Sequence, residues 1–181
     1  MKTPGTEAWR LTPAAVVDVV PYMPAMQAEV IELILTIQRG EFGFEISAED
    51  QPDLLDVENF YQTGAGGFWV ALVGQRLIGT IALRDIGNRQ GALRKMFVKE
   101  LYRGKEQAVA ETLLRTLLAA ARTAGLEEIF LGTTEKFLAA HRFYEKHRFV
   151  RVPPGDLPAA FPRMALDTRF YKLPLATYGT Q

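Results

Sequence analysis

Residues 99–110 contain a single glycine, which two cationic side chains flank, immediately before a long helical pattern. The cations are Arg103 and Lys105, on either side of Gly104. The first turn of a helix carries unpaired backbone N–H groups and the positive end of the helix dipole, so it binds anions well. The segment therefore predicts a pyrophosphate site, with an ordinary strand-to-helix turn as the alternative. It lacks the spacing of a P-loop or a dinucleotide fingerprint.

Two stretches of the chain resemble motifs of a known family. They are Leu93-Arg94-Lys95-Met96-Phe97-Val98 with Tyr102-Arg103-Gly104-Lys105, and Ala140-His141-Arg142-Phe143-Tyr144-Glu145-Lys146 with Phe149. With these motifs the sequence resembles the GNAT family of N-acetyltransferases over roughly residues 68–152. The resemblance implies a GNAT-like α/β fold with a central mixed sheet flanked by helices. It also implies acetyl-CoA as co-substrate, no metal, and acetyl transfer to a primary amine.

In that family the loop before the helix follows [Gln/Arg]-x-x-Gly-x-[Gly/Ala] and binds pyrophosphate through its backbone amides. Starting the pattern at Arg103 places Glu106 at the glycine position, whereas starting it at Lys105 places Ala108 there. The second register sets Leu113 and Leu114 at the family's distance from the final small residue of the pattern, and we prefer it for this reason. The cofactor contacts implied by the resemblance are Met96, Phe97, Val98, Arg103, Gly104, Lys105, Gln107, Ala108, Val109, Ala110, Phe137 and Tyr144.

The resemblance also implies a role for Tyr144. A tyrosine at this position hydrogen-bonds the coenzyme A sulfur and protonates the departing thiolate, which a phenol of ordinary pKa can do. Packing of the helix against the sheet is the alternative explanation. The chain departs from the family at Phe137, which replaces an asparagine, and at Arg148, which replaces the glycine that ends the helix. Arg148 predicts either backbone strain or a different helix cap.

The catalytic base is harder to place from the sequence. An alkylammonium must lose a proton before its nitrogen attacks a thioester, and family members often use a carboxylate on the strand at residues 91–98. Here that strand offers Arg94 and Lys95 but no acid. We name Asp85 and Glu45 as substitutes. His141 is a further candidate, with a structural role as its alternative.

Residues 41–58 carry seven acidic side chains, while no lysine or arginine lies between Arg39 and Arg76. This stretch predicts attraction of a cationic small-molecule amine, with a solvated acidic surface as the alternative. A peptide N-terminus and a lysine side chain also remain open as acceptors. The sequence is compatible with a homodimer but does not determine it. A non-catalytic domain that responds to coenzyme A or binds a protein is the second hypothesis for function.

A length of 181 residues, an apolar content sufficient for a core and the absence of internal repeats predict one domain over residues 1–181. Strands are predicted at residues 14–20, 67–73, 77–86, 91–98, 128–131, 149–152, 164–167 and 170–173, and helices at residues 26–39, 52–61, 136–147 and over a long stretch that Gly125 ends. The strands within residues 67–98 predict an antiparallel meander. A meander followed by a crossover helix predicts a mixed sheet with helices on both faces.

Composition excludes several other classes of function. Lysine plus arginine and aspartate plus glutamate number 21 each, so no net positive field favours nucleic acid or an anionic membrane. The absence of cysteine excludes disulfides, thiolate metal sites and a cysteine nucleophile. Ser47, the only serine, does not lie in a Gly-x-Ser-x-Gly turn. The sequence contains neither a signal-peptide pattern nor an apolar run that spans a bilayer, so we predict a cytoplasmic location.

Overall fold

The computed structural model describes residues 16–104 and 108–178. Its strands are β1 (Val17–Pro21), β2 (Gly67–Val73), β3 (Arg76–Asp85), β4 (Gln90–Val98), β5 (Glu128–Thr133), β6 (Val150–Val152) and β7 (Arg169–Pro174). Its α-helices are α1 (Gln27–Leu35), α2 (Pro52–Leu55), α3 (Val57–Phe60), α4 (Val109–Thr123) and α5 (Leu138–Lys146). Within this part of the chain, the strands form one sheet in the order β1-β2-β3-β4-β5-β7-β6.

The sheet is mixed, as the sequence predicts. Strands β1 to β4 pair antiparallel in chain order, which confirms the predicted meander. Helix α4 then crosses over, and β5 pairs parallel with β4. Strand β7 pairs antiparallel with both β5 and β6. The ends of β4 and β5 that precede α4 and α5 consequently lie at the same edge of the sheet.

Helices cover both faces of the sheet. The apolar stripe of α4, including Leu113 and Leu117, packs in one core with Ile81 of β3. On the opposite face, Val30 and Ile34 of α1 pack against Ala82. Each leucine buried in this way contributes about 1.5–3 kcal/mol through removal of its side chain from water. No helix in residues 16–104 and 108–178 has the length and apolar character needed to cross a membrane.

Two predicted helices differ from the structure in their course. The helix predicted at residues 26–39 is α-helical only to Leu35 and continues as a π-helical segment, Thr36–Glu41. The helix predicted at residues 52–61 is interrupted at Asp56, whose φ of −146° and ψ of 59° lie outside the helical region. The hydrophobic spacing alone did not reveal this break, because it does not specify the backbone conformation of a single residue.

The prediction of a strand at residues 164–167 is wrong. These residues form a turn in which the Asp167 carboxylate accepts the Met164 backbone amide at 2.9 Å. The strand that follows, β7, finds its partners in β5 and β6 instead. An aspartate that bonds its own neighbouring backbone favours a turn over a strand, which explains the difference.

Arg148 stands at the glycine position that ends α5, and its φ is +68°. Its amide donates to the Glu145 carbonyl and the Phe149 amide to the Tyr144 carbonyl, which is the Schellman pattern that a left-handed residue allows. The helix therefore keeps the usual cap and accepts strain at a residue with a Cβ atom.

We expect Arg148→Gly to have a higher free energy of unfolding than Arg148→Ala by about 1 kcal/mol, because only glycine lacks the Cβ penalty at positive φ. Both variants remove the hydrogen bond from the Arg148 side chain to the Thr177 carbonyl, so comparing them isolates the backbone effect. Urea unfolding measures the difference. An alanine variant as stable as the glycine variant would show that the backbone here is not strained.

Candidate active site

The central feature of the site is a divergence between two parallel strands. Strands β4 and β5 pair only from Gln90↔Glu128 to Ala92↔Phe130. Further along, β4 remains paired with β3 and β5 with β7, and among the described residues no pairing between β4 and β5 continues. We call the gap between residues 93–98 and residues 131–133 the wedge. Backbone groups on its β4 side are available to an extended ligand that adds as a short strand.

A bulge in β4 accompanies this divergence. The register between β3 and β4 shifts between Thr80 and Ala82, and Lys95 has a left-handed φ of +51°. The buried Thr80 hydroxyl donates to the Lys95 carbonyl at 2.7 Å, which satisfies an oxygen displaced from the regular ladder. Because a bulge bends the strand that contains it, this arrangement favours departure of β4 from β5.

The Lys95 side chain anchors the bulge to the helices on the α1–α3 face. It is buried, its Nζ lies 3.3 Å from the Asp53 carboxylate, and it donates to Gln51 Oε1 at 2.6 Å. The Tyr61 hydroxyl donates to the same Asp53 carboxylate. Burial lowers the pKa of Lys95, whereas the Asp53 charge acts in the opposite direction. This network ties β4 to α2 and the residue that follows α3.

Sequence reasoning missed this network. In that reasoning Asp53 is one of the acidic side chains of residues 41–58 and Lys95 lies on a strand that carries no acid, without a connection between the two. A signal was present: Asp53 precedes Val57 by four residues and therefore shares its apolar face, where a carboxylate requires a partner.

Tyr144 lies at the wedge. Its hydroxyl donates to Met96 Sδ on β4 at 3.7 Å, a weak contact, and its ring packs against Phe149 and Tyr171. Burial raises the pKa of the Tyr144 phenol above its ordinary value, so the group remains a neutral proton donor at physiological pH. The structure thus brings together Met96 and Tyr144, which the sequence predicted on separate motifs.

The start of α4 has the backbone expected at a glycine position. Ala108 precedes the helix with a left-handed φ of +44°, which matches the register in which it replaces the glycine of the phosphate-binding pattern. Val109 is buried and Ala110 is partly buried. Lys105 and Gln107, two predicted contacts, lie outside the described residues. Helix α4 has 15 residues, so its N-terminus carries a full helix dipole.

Arg103 is occupied by protein partners. Its Nε donates to the Val98 carbonyl at 2.7 Å, and its two terminal nitrogens bind the Glu41 carboxylate at 2.7 and 2.9 Å. Arg103 therefore fixes the start of the loop to the end of β4 and to the π-helical segment. Gly104, with a φ of +124°, follows in open space.

Phe137 belongs to a cluster of four aromatic rings. Its ring centroid lies 4.3 Å from that of Phe42, 5.9 Å from that of Phe44 and 6.4 Å from that of Phe97. Phe97 is on β4 and Phe137 follows β5, so the cluster extends across the open end of the wedge. At Phe137 the structure therefore presents an apolar ring where the family often has the side-chain amide of an asparagine.

The three candidate bases lie in different surroundings. The Asp85 carboxylate accepts the Ala65 and Gly87 backbone amides at 2.9 Å each. Asp85 pairs with Gly91 near the start of β4, roughly 15 Å along that strand from Met96. Glu45 is exposed. His141 is buried with both ring nitrogens engaged, by the Thr134 carbonyl at 2.9 Å and by Arg169 at 3.1 Å. The structure does not bring Asp85 to Tyr144, and it gives His141 structural partners.

The wedge, the buried tyrosine beside it and the helix start together indicate which family to expect. The sequence matches the model of the acetyltransferase (GNAT) family over residues 31–149. The chain belongs to the GNAT family of acetyltransferases. Its mixed sheet is the fold that the resemblance predicted.

Individual relatives agree with this assignment. An acetyltransferase of the GNAT family from Staphylococcus aureus Mu50 has a similar structure, with 37% identity, a TM-score of 0.85, and coverage of 88% of this chain and 99% of that one. N-acetylaspartate synthetase of Xenopus tropicalis is 33% identical over 131 residues, which is 66% of this chain. This GNAT chain spans only 47% of that relative's length.

A more distant structure supports only the assignment of the fold. The PaiA N-acetyltransferase from Thermoplasma acidophilum, described in complex with coenzyme A, is 16% identical with a TM-score of 0.65. The structural match covers 88% of this chain and 99% of the Thermoplasma chain.

Proposed function

We propose that this GNAT protein transfers the acetyl group of acetyl-CoA to the amine of a small-molecule acceptor. The single observation that carries the proposal is the wedge, with the Tyr144 hydroxyl directed at the sulfur of Met96 on β4. A donor that already contacts a thioether through a weak bond can exchange that contact for the sulfur of a bound thioester.

Two regions would hold the cofactor. The backbone of Met96, Phe97 and Val98, which does not pair with β5, would bind the pantetheine arm as an added strand through groups other than the Val98 carbonyl, which accepts Arg103 Nε. The first amides of α4, beginning after the left-handed Ala108, would bind the pyrophosphate. The four-ring aromatic cluster around Phe137 would exclude water from the thioester end.

The reaction follows from this placement. The acceptor nitrogen attacks the thioester carbonyl carbon and forms a tetrahedral intermediate. The intermediate collapses as the carbon–sulfur bond breaks, and the departing thiolate takes the Tyr144 proton. The nitrogen loses its proton to water, since Asp85 is bound to two backbone amides at the paired end of β4 and Glu45 is exposed. The phenol then recovers a proton from solvent.

A small molecule is the acceptor that the relatives favour. The name of the Xenopus relative refers to acetylation of aspartate, a small amine, although this chain covers less than half of that protein. The predicted attraction of a cationic amine receives less support. Several carboxylates of residues 41–58 are already bound: Glu41 to Arg103, Asp50 to Ser47, Asp53 to Lys95 and Asp56 to Asn59.

Calorimetry with acetyl-CoA, followed by an assay of free thiol release with a panel of amines, tests the function. We expect saturable binding of acetyl-CoA and acceptor-dependent release of coenzyme A. Binding without release for any amine would favour the alternative, a non-catalytic domain that responds to coenzyme A. Failure of acetyl-CoA to bind would contradict both.

A further inference from the structure

Arg94 is a partly buried cation that has no carboxylate partner within residues 16–104 and 108–178. Its Nη2 lies 3.1 Å from Met164 Sδ and its Nη1 lies 3.4 Å from the Pro162 carbonyl oxygen, both weak contacts. Among the described residues, no aspartate or glutamate forms an ion pair with it. A guanidinium removed from water favours a bidentate anionic partner, so most of its donors remain available for one.

The position of Arg94 places it on the face of the sheet that α1–α3 cover. It pairs with Ala82, which packs in the core beneath α1–α3, and residues directly opposite on antiparallel strands share a face. The neighbouring cation on this face, Arg84, stacks over the Phe60 ring at 5.4 Å. Lys95 is already bound to Asp53. Arg94 is therefore the cation on β4 that an acceptor can engage.

A carboxylate lies close to Arg94 but does not pair with it. Asp167 accepts the Met164 backbone amide and the Arg94 guanidinium contacts the Met164 sulfur, so both groups contact the same residue. A side chain at Gly132 would collide with the Asp167 carboxylate, which places that carboxylate against a β5 residue that borders the wedge. Burial raises the pKa of Asp167, and its bond to the Met164 amide and the charge of Arg94 oppose this.

A cation and an anion that lie near each other without pairing are complementary to a zwitterion. We infer that the acceptor is a free amino acid, with its carboxylate bound by Arg94 and its amine oriented by Asp167. This inference rests on the proposed acetyl transfer and gives the acceptor its chemical class. Stabilisation of the loop at residues 153–168 is the competing role for both side chains.

Substitutions at the two positions separate these roles. We expect Arg94→Gln to lower kcat/KM by about ten- to a hundredfold for L-amino acids, because it removes a charged hydrogen-bond partner. It should leave kcat/KM unchanged for the matched amino-acid carboxamides, which lack the carboxylate. Asp167→Asn keeps an oxygen for the Met164 amide and should raise KM for both groups of acceptors. Arg84→Gln, which removes the same charge from the same face, is the control and should change neither.

The outcomes distinguish this inference from the proposed function. Equal turnover of amino acids and carboxamides, or an equal loss for both in Arg94→Gln, would overturn the inference while acetyl transfer stands. If no amine is acetylated, the proposed function fails, and calorimetry of L-amino acids with the coenzyme A complex decides the inference by itself. Binding that weakens in Arg94→Gln supports a carboxylate site, and absence of binding excludes it.

Discussion

Replacing Tyr144 with phenylalanine is expected to lower kcat by about a hundredfold, the usual contribution of a positioned general acid. The variant loses the only group at the wedge assigned to protonate the departing thiolate. The KM for acetyl-CoA should remain similar, because the ring that packs against Phe149 and Tyr171 is retained. Steady-state release of coenzyme A measures both constants.

Tyr171→Phe is the matched control. The Tyr171 hydroxyl is also buried in the core but donates to Glu145 at 2.8 Å, away from β4. We expect this variant to retain kcat within about threefold, since it removes no transition-state interaction. A Tyr144→Phe protein with the full wild-type rate would exclude Tyr144 as the acid and leave it as a packing residue.

The second large effect concerns the buried ion pair between Asp53 and Lys95. We expect Asp53→Asn to lower the free energy of unfolding by about 3–5 kcal/mol, the usual cost of leaving one charge of a buried pair without its partner. Both side chains are almost completely buried, with exposed fractions of 8% for Asp53 and 6% for Lys95. Urea unfolding, with the slope checked for two-state behaviour, measures the change.

A surface ion pair provides the comparison. In the pair of Arg89 with Glu127 the side chains are 67% and 57% exposed, so Glu127→Gln should cost less than about 1 kcal/mol. The double variant Asp53→Asn with Lys95→Met should recover part of the lost stability, because no unpaired charge remains. If Asp53→Asn costs no more than Glu127→Gln, the network does not hold the bulge of β4 in place.

Much of the fold followed from local patterns in the sequence. The stripe that includes Leu113 and Leu117 predicted α4, and alternating strands between glycine turns predicted the meander, because both signals depend on neighbouring residues. The break at Asp56 and the turn at Asp167 were missed, since each depends on backbone conformations that an apolar spacing does not encode. The roles of the site residues remain predictions, and the structure defines the surroundings of those within residues 16–104 and 108–178.

What the sequence determined by itself was the order of elements and the motif containing Tyr144, because periodicity and short motifs are local. The tertiary structure alone decided which charges are available. It paired Arg103 with Glu41, 62 residues away, and Lys95 with Asp53, and it brought Arg94 to Met164, 70 residues along the chain. Contacts between distant segments form only when folding brings both groups together, so no pattern along the chain specifies them.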